Sequence, residues 1–239
     1  EQAICREALK YAFVQHREMA VGLKGVQKAR SISDAFDQTT SGASLVDLMR
    51  LDMLVGSGGV LSHSPRRVQG ALMMLDGFLP EGFTILTVDS IFMMPQLGVL
   101  AKVQQQAALE VFHKDCLIYL GTAIAPVGPG KEGDEVMECR ISIPGKPEER
   151  IKCLYGDIRL IPLGVGEKAT IEVIPGRKFD VGAGKGKPVT REAAGGVVGL
   201  IFDTRGRRPF ELTTDPKKRV AKLTAWNNAL GIYPEHSGK

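Results

Sequence analysis

The residues best suited to chemistry fall in one short run, Leu51-Asp-Met-Leu-Val-Gly-Ser-Gly-Gly-Val-Leu-Ser-His63, where an apolar stretch breaks into three glycines. Met53 to Val55 have the make-up of a buried strand. Gly56, Gly58 and Gly59 let the backbone turn sharply and approach a ligand with no Cβ in between, and Ser57 and Val60 lie within the same turn. Ser64-Pro65 predicts a helix start just beyond. There Ser64 would cap the helix and Pro65 would be tolerated in its first turn, so that free N–H groups and the helix dipole favour an anion or the polar edge of a nucleotide. An ordinary glycine-rich strand-to-helix turn fits the same spacing, and both readings stand at this level.

Two better-known glycine patterns are excluded. A dinucleotide fingerprint needs a glycine where Leu61 stands, and a phosphate loop needs Gly-Lys-Ser/Thr. The later run Gly182-Ala-Gly-Lys-Gly-Lys-Pro188 is not such a loop either, because Lys187 is followed by Pro188.

Around the glycine turn, His63 could contact a phosphate or a base, and Arg66 and Arg67 could neutralise phosphate from the helix start. All three also suit the surface of a first helical turn. Asp89 closes the next apolar run, a position from which a carboxylate binds a metal, a ribose or a reacting water, or caps the following turn through Ser90. His16, His113 and His236 stand isolated, and Met73, Met74, Met93 and Met94 read as adaptable packing. Asp134, Glu135 and Glu138 read as solvated carboxylates. Arg205-Gly206-Arg207-Arg208, after the apolar run Val197 to Phe202, reads as a solvated basic hairpin turn. No nucleophile triad, metal cluster or catalytic carboxylate pair emerges, so no catalytic residue and no metal ligand is assigned.

The chain has 239 residues, room for one large or two small cores. No run of about 18 apolar residues suggests a membrane span. Glu1 in place of Met suggests a processed or truncated piece, and neither end resembles a signal peptide. The four cysteines, Cys5, Cys116, Cys139 and Cys153, form no CxxC pair, which predicts reduced, buried thiols and a cytoplasmic protein. From Lys146 onward 18 Lys/Arg stand against 11 Asp/Glu, while the first 144 residues hold 13 against 16. The basic half could meet an acidic partner, but its cations are interspersed with acids and few aromatics, which argues against nucleic acid.

These residues need elements to position them. Gln2 to Lys28 predicts a helix, broken near Gly22 or Gly25, with Ala3, Ile4, Ala8, Ala12, Val14, Met19 and Val21 as its apolar positions; Ser31 to Ser44 predicts a loop. Leu45 to Leu51 delivers the chain into the glycine-rich strand. Arg66 to Phe78 predicts a helix with Val68, Ala71, Leu72 and Leu75 on one face. Pro80-Glu-Gly82 is a turn, Phe83 to Asp89 a strand, and Pro95 to Phe112 a third helix. Strand, helix, strand, helix makes an α/β unit with its ligand beside the strand ends. From about Cys116, short β-prone runs alternate with Gly and Pro turns: Cys116 to Ile124, Glu138 to Ile143, Arg150 to Leu154, Asp157 to Leu163, Lys168 to Ile174 and Gly195 to Phe202. That pattern predicts a mostly antiparallel sandwich or barrel. A last helix, Asp215 to Leu230, would turn Val220, Leu223 and Trp226 inward. The fold class is therefore α/β plus β, with residues 1–115 as an α/β lobe, nucleotide-binding if the glycine turn holds a ligand, and residues 116–239 as a β-rich domain with a C-terminal helix.

Four segments of this chain also resemble a known family: Gly56-Ser-Gly-Gly-Val-Leu-Ser-His-Ser-Pro-Arg-Arg67, Ala71-Leu-Met-Met-Leu75, Val88-Asp-Ser-Ile-Phe-Met-Met-Pro-Gln-Leu-Gly-Val-Leu-Ala101 and Gly195-Gly-Val-Val-Gly-Leu-Ile-Phe-Asp203. They resemble the C-terminal half of the glutamate mutase accessory family called MutL or GlmL, which is unrelated to the DNA-repair protein sharing the first name. The resemblance spans about Leu45 to Pro209. It implies the C-terminal lobe of an actin-like, ribonuclease H-like ATPase of the actin, sugar kinase and heat-shock superfamily, followed by the β-rich domain. Gly56, Ser57, Gly58 and Gly59 would form the adenosine-side motif, with Val60, His63, Arg66 and Asp89 beside it, and Pro95 to Ala101 a small-residue helix where two lobes meet. The implied ligand is ATP or ADP with Mg. The implied partners are an N-terminal ATPase lobe, from the same precursor or a separate chain, and an adenosylcobalamin-dependent mutase. The implied role is an ATP-dependent accessory or reactivating chaperone, with a noncatalytic scaffold as the alternative.

Overall fold

A computed structural model of the chain describes residues 1–19, 46–207, 210 and 212–233. The expected loop Ser31 to Ser44, the break near Gly22 or Gly25, and His236 lie outside these residues. Helix α1 spans Gln2–Met19, and a 3-10 turn, Leu48–Arg50, leads into strand β1, Met53–Gly56. One helical turn, α2 (Gly59–Ser62), and helix α3 (Arg67–Phe78) connect β1 to β2, Gly82–Asp89. Helices α4 (Met94–Leu100) and α5 (Gln105–Val111) and a π-helical turn, Phe112–Cys116, lead into β3, Leu117–Ala125. The remainder is β4 (Glu135–Ser142), β5 (Glu149–Leu154), β6 (Ile158–Ile161), β7 (Lys168–Pro175), β8 (Val189–Ala194), β9 (Gly199–Asp203) and helix α6, Pro216–Ala229.

The fold is mixed α/β with two sheets. One has five strands in the order β1-β2-β3-β9-β6, the other four in the order β5-β4-β7-β8. In the first, β1 with β2 and β3 with β9 run parallel, while β2 with β3 and β6 with β9 run antiparallel. The second is antiparallel throughout, as short β runs between Gly and Pro turns predict. The five-stranded sheet takes β1 and β2 from before residue 116 and β3, β6 and β9 from beyond it.

Period-2 alternation, interrupted in β3 by a bulge at Leu120, sorts the two cores. Phe83, Ile124, Leu200 and Phe202 turn to the four-stranded sheet, where they join Met137, Cys139, Ile141, Ile171 and Val173. Leu86, Val88, Leu120 and Ile201 turn the other way, against Leu72, Met73 and Leu75 of α3 and Trp226 of α6. The central sheet is therefore covered by helices on one face and by the second sheet on the other.

Several elements depart from expectation. Helix α1 packs through Cys5, Leu9 and Phe13 rather than through Ile4 and Val14, which are exposed. Ala3, Ala8 and Ala12 are exposed as well. Helix α3 is buried on more than one face, including Gln69, Met73 and Met74. The single helix predicted over Pro95 to Phe112 is two, because a straight helix would hold Leu97 and Ala108 about 16 Å apart, whereas both join one small cluster with Cys116. Gly195 to Val198 form no strand, and β8 was not foreseen. On α6, Trp226 is buried but Val220 and Leu223 are exposed.

Backbone approach is tightest between β3 and β9. A Cβ on Gly121, at φ +139°, would overlap the Gly199 carbonyl directly across the parallel ladder. Gly121→Ala is expected to destabilise the protein by about 3 kcal/mol, read as a lower urea midpoint with unchanged slope.

Candidate functional site

Strand β1 ends at Gly56, paired in parallel register with Val88 of β2, so the glycine turn and Asp89 meet at the carboxyl ends of neighbouring strands. In open α/β sheets, ligands bind in that location. Gly56 is held close to α3 and α2: a Cβ there would sit 2.9 Å from the Met74 sulfur and 3.1 Å from Leu61 Cδ1. Gly58, at φ +97°, reverses the chain, and its carbonyl accepts N–H bonds from Leu61 (3.1 Å) and Ser62 (2.9 Å). A Cβ on Gly58 or Gly59 would meet nothing within 4 Å, so the turn faces open space. The Ser57 hydroxyl oxygen is buried without a hydrogen-bond partner.

The helix start differs from expectation. Ser64 does not cap it; its hydroxyl lies 2.9 Å from the carbonyls of both Val60 and Leu61. The longer helix begins at Arg67, and its cap is Arg66, whose backbone N–H is accepted by Gln69 Oε1 at 3.2 Å. Directly after the glycines stands the one-turn α2, too short for its dipole to form an anion site. Arg66 reaches away to the Gly231 carbonyl at 3.3 Å, and Arg67 donates to the Ser62 carbonyl. His63 and Val60 are exposed beside the turn.

Asp89 is fully buried. Its Oδ1 accepts the Ile91 N–H at 3.3 Å and its Oδ2 the Met94 N–H at 3.1 Å, so the carboxylate caps the turn into α4, one of the two roles open to it from sequence. Its backbone carbonyl accepts the Ser62 hydroxyl at 2.7 Å, which ties α2 to the end of β2. Of the residues foreseen, the fold thus gathers Gly56, Ser57, Gly58, Gly59, Val60, His63 and Asp89 at one sheet edge and directs Arg66 elsewhere. Among the described residues no group of three or more His, Cys, Asp or Glu could hold a metal ion.

Sequence reasoning missed the main polar cluster. Arg205 and Arg207, expected in a solvated turn, are buried. Arg205 grips Asp203 through Nε and Nη2, both at 2.8 Å, and reaches Asp76 on α3 at 2.8 Å; Arg207 donates to Asp203 Oδ2 at 2.7 Å and to the Pro80 carbonyl at 3.0 Å. Arg208 lies outside the described residues. The available signal was the spacing Asp203-x-Arg205-x-Arg207, which in an extended chain puts three charges on one side. Although burial alone would raise it, the two guanidinium groups hold the Asp203 carboxyl well below the usual carboxylate range.

All four cysteines are free, with Cys116, Cys139 and Cys153 buried and Cys5 half-buried. A hydrogen bond to Cys153 and burial push the Cys139 thiol up, and burial does the same to Cys116 and Cys5. Cys5, Cys116 and Cys139 are thus packing thiols rather than nucleophiles, while the hydrogen bond shared with Cys139 lowers the Cys153 thiol. No helix among the described residues is long and apolar enough to cross a membrane.

The family model described as MutL protein matches residues 1–116, which include the whole glycine turn and Asp89. No curated protein and no solved structure matches the chain.

Removing the Ser62 hydroxyl takes a hydrogen bond from the Asp89 carbonyl in a buried position. Ser62→Ala is expected to cost about 1 kcal/mol, with faster amide hydrogen exchange at Ile91 and Met94. For Asp203 the depressed carboxyl stabilises the fold above the unfolded value near pH 4, and that stability is lost as pH falls below it. Asp203→Asn is expected to cost about 3–5 kcal/mol at pH 7 and to flatten the acid limb of a plot of urea midpoint against pH.

Proposed function

Residues 1–116 belong to the MutL protein family, the glutamate mutase accessory type rather than the DNA-repair protein, and from that premise we propose that this chain supplies one nucleotide-facing lobe of an ATP-dependent accessory factor. Its client would be an adenosylcobalamin-dependent mutase, with the four-stranded sheet and its surroundings as the partner-facing part. The observation that carries this reading is the glycine turn at the carboxyl ends of β1 and β2, open above Gly58 and Gly59 and holding an unpartnered Ser57 hydroxyl.

These residues fit one side of a nucleotide. Gly58 and Gly59 leave room for a flat ring or sugar, Ser57 supplies a hydroxyl, and His63 and Val60 flank the opening. They do not fit the magnesium ion, because Asp89 is the one carboxylate among them, is fully buried and faces its two oxygens to backbone N–H groups. Phosphate and metal would be held by the N-terminal ATPase lobe, from the same precursor or another chain. Two lobes of an actin-like ATPase closing on ATP could bias an attached module by the difference in nucleotide affinity between open and closed states. In that role the chain would help to remove damaged cobalamin from the mutase or to assemble it.

A noncatalytic scaffold is the second reading. It is favoured by the engaged Asp89, by Arg66 directed at Gly231, and by the shortness of α2.

Calorimetry with ATP and ADP, on the chain alone and with an N-terminal lobe supplied, separates the two. Nucleotide binding that Gly58→Asp weakens by about tenfold or more, roughly 1.4 kcal/mol, supports the lobe. Gly133→Asp is the control, since Gly133 shares the positive φ and open surroundings but lies far from the turn in sequence. No heat in either setting, with the fold intact, supports the scaffold.

A further inference from the structure

At the far edge of the five-stranded sheet from the glycine turn, β5, β6 and α6 enclose a cleft of about 810 Å3. Four strand spacings, about 19 Å, separate the two edges. The volume is that of a small-molecule site. Its walls bring together Lys152 of β5, Arg159 of β6, and Lys218 and Lys222 of α6, against Glu132 and Asp157 as the acids. Lys218 and Lys222 are one turn apart, a like-charge pair that a helix does not gain from, and both lie in the N-terminal half of α6, where the dipole disfavours cations.

Two of the four cations are already paired. Lys222 meets Glu132 at 3.2 Å and Lys152 meets Glu135 at 3.3 Å, both acids being more than half exposed. Arg159 and Lys218 make no ion pair among the described residues. Trp226, 6% exposed, presents a small, rigid apolar patch to the cleft: its indole N–H donates to the Gly156 carbonyl at 2.7 Å, and Arg205 and Lys222 lie 5.0 and 5.8 Å from its ring. Ala221 and Ala225 keep the α6 wall low beside it.

We propose that this cleft binds a small organic phosphate, its phosphate between Arg159 and Lys218 and its apolar body against Trp226. Two unpartnered cations match the near-double charge of a phosphomonoester at neutral pH, and the guanidinium fork suits phosphate oxygens. A peptide carboxylate would bring only single charges, spaced along a chain.

Trp226 is the chain's single tryptophan, so intrinsic fluorescence reports on this cleft. The full chain is titrated with phenyl phosphate, with inorganic phosphate, phenol and a tetraglutamate peptide in parallel. A saturable change in emission is expected with phenyl phosphate, weaker by about tenfold for either half of the probe, and weaker by about tenfold in each of Arg159→Gln and Lys218→Gln. Both substituted side chains are exposed, and unchanged emission of the free variants shows that the Trp226 site is intact. No saturable response, binding in both variants as tight as in the unsubstituted chain, or binding of the peptide in preference to phenyl phosphate would overturn the proposal. The glycine turn takes no part, so the outcome is independent of nucleotide binding there.

Discussion

The carboxylate of Asp203 stands at the end of a central strand with no access to water, and much of the helical layer is arranged around neutralising it. Burying an ion costs several kcal/mol unless close, well-formed partners offset the loss of water. Here two guanidinium groups supply them. Arg205 then carries the connection to Asp76 on α3, which also meets Arg6 of α1 at 3.5 Å, while its plane packs over Trp226 of α6 and Phe210. Arg207 holds the Pro80 carbonyl, just before β2. Three helices and the entry to β2, which β3 separates from β9 in the sheet, are thus tied to one charge.

That tie has a bearing on both candidate sites. Helix α3 begins just past the glycine turn, and Met74, packed under Gly56, stands in its C-terminal half beside Asp76, the residue that Arg205 anchors. Trp226, lining the cleft at the opposite sheet edge, rests on that guanidinium. The central sheet separates the two sites, and the ion cluster supports an element belonging to each. Surface pairs such as Lys168 with Glu192 contribute little by comparison, because water screens them.

The β-rich part is fastened to the α/β part by the chain's own topology rather than by a linker. Strands β3, β9 and β6 complete the sheet that β1 and β2 begin, and Phe83 of β2 shares a core with Met137 and Val173 of the second sheet. Movement of one layer against the other would have to break a packed interior, and such interiors switch between discrete states rather than deform gradually.

The sequence by itself determined the elements whose signal is local. The apolar run into Gly56, the reversal at Gly58, the strand ending at Asp89, the antiparallel runs beyond residue 134 and the cap of α6 at Asp215 come from side-chain period and backbone freedom within a few residues. It also supplied the residues of the glycine site, since turn and carboxylate are each local signals. Only the tertiary structure decided where the charges went. Arg205 meets Asp76 across 129 positions of chain, and nothing in the string Arg-Gly-Arg-Arg distinguishes a solvated turn from a buried clamp. The buried face of α1, the break between α4 and α5, and the exposure of Val220 and Leu223 were likewise set by what lies across the interface. Periodicity names a helix but not its neighbour, and burial belongs to the pair.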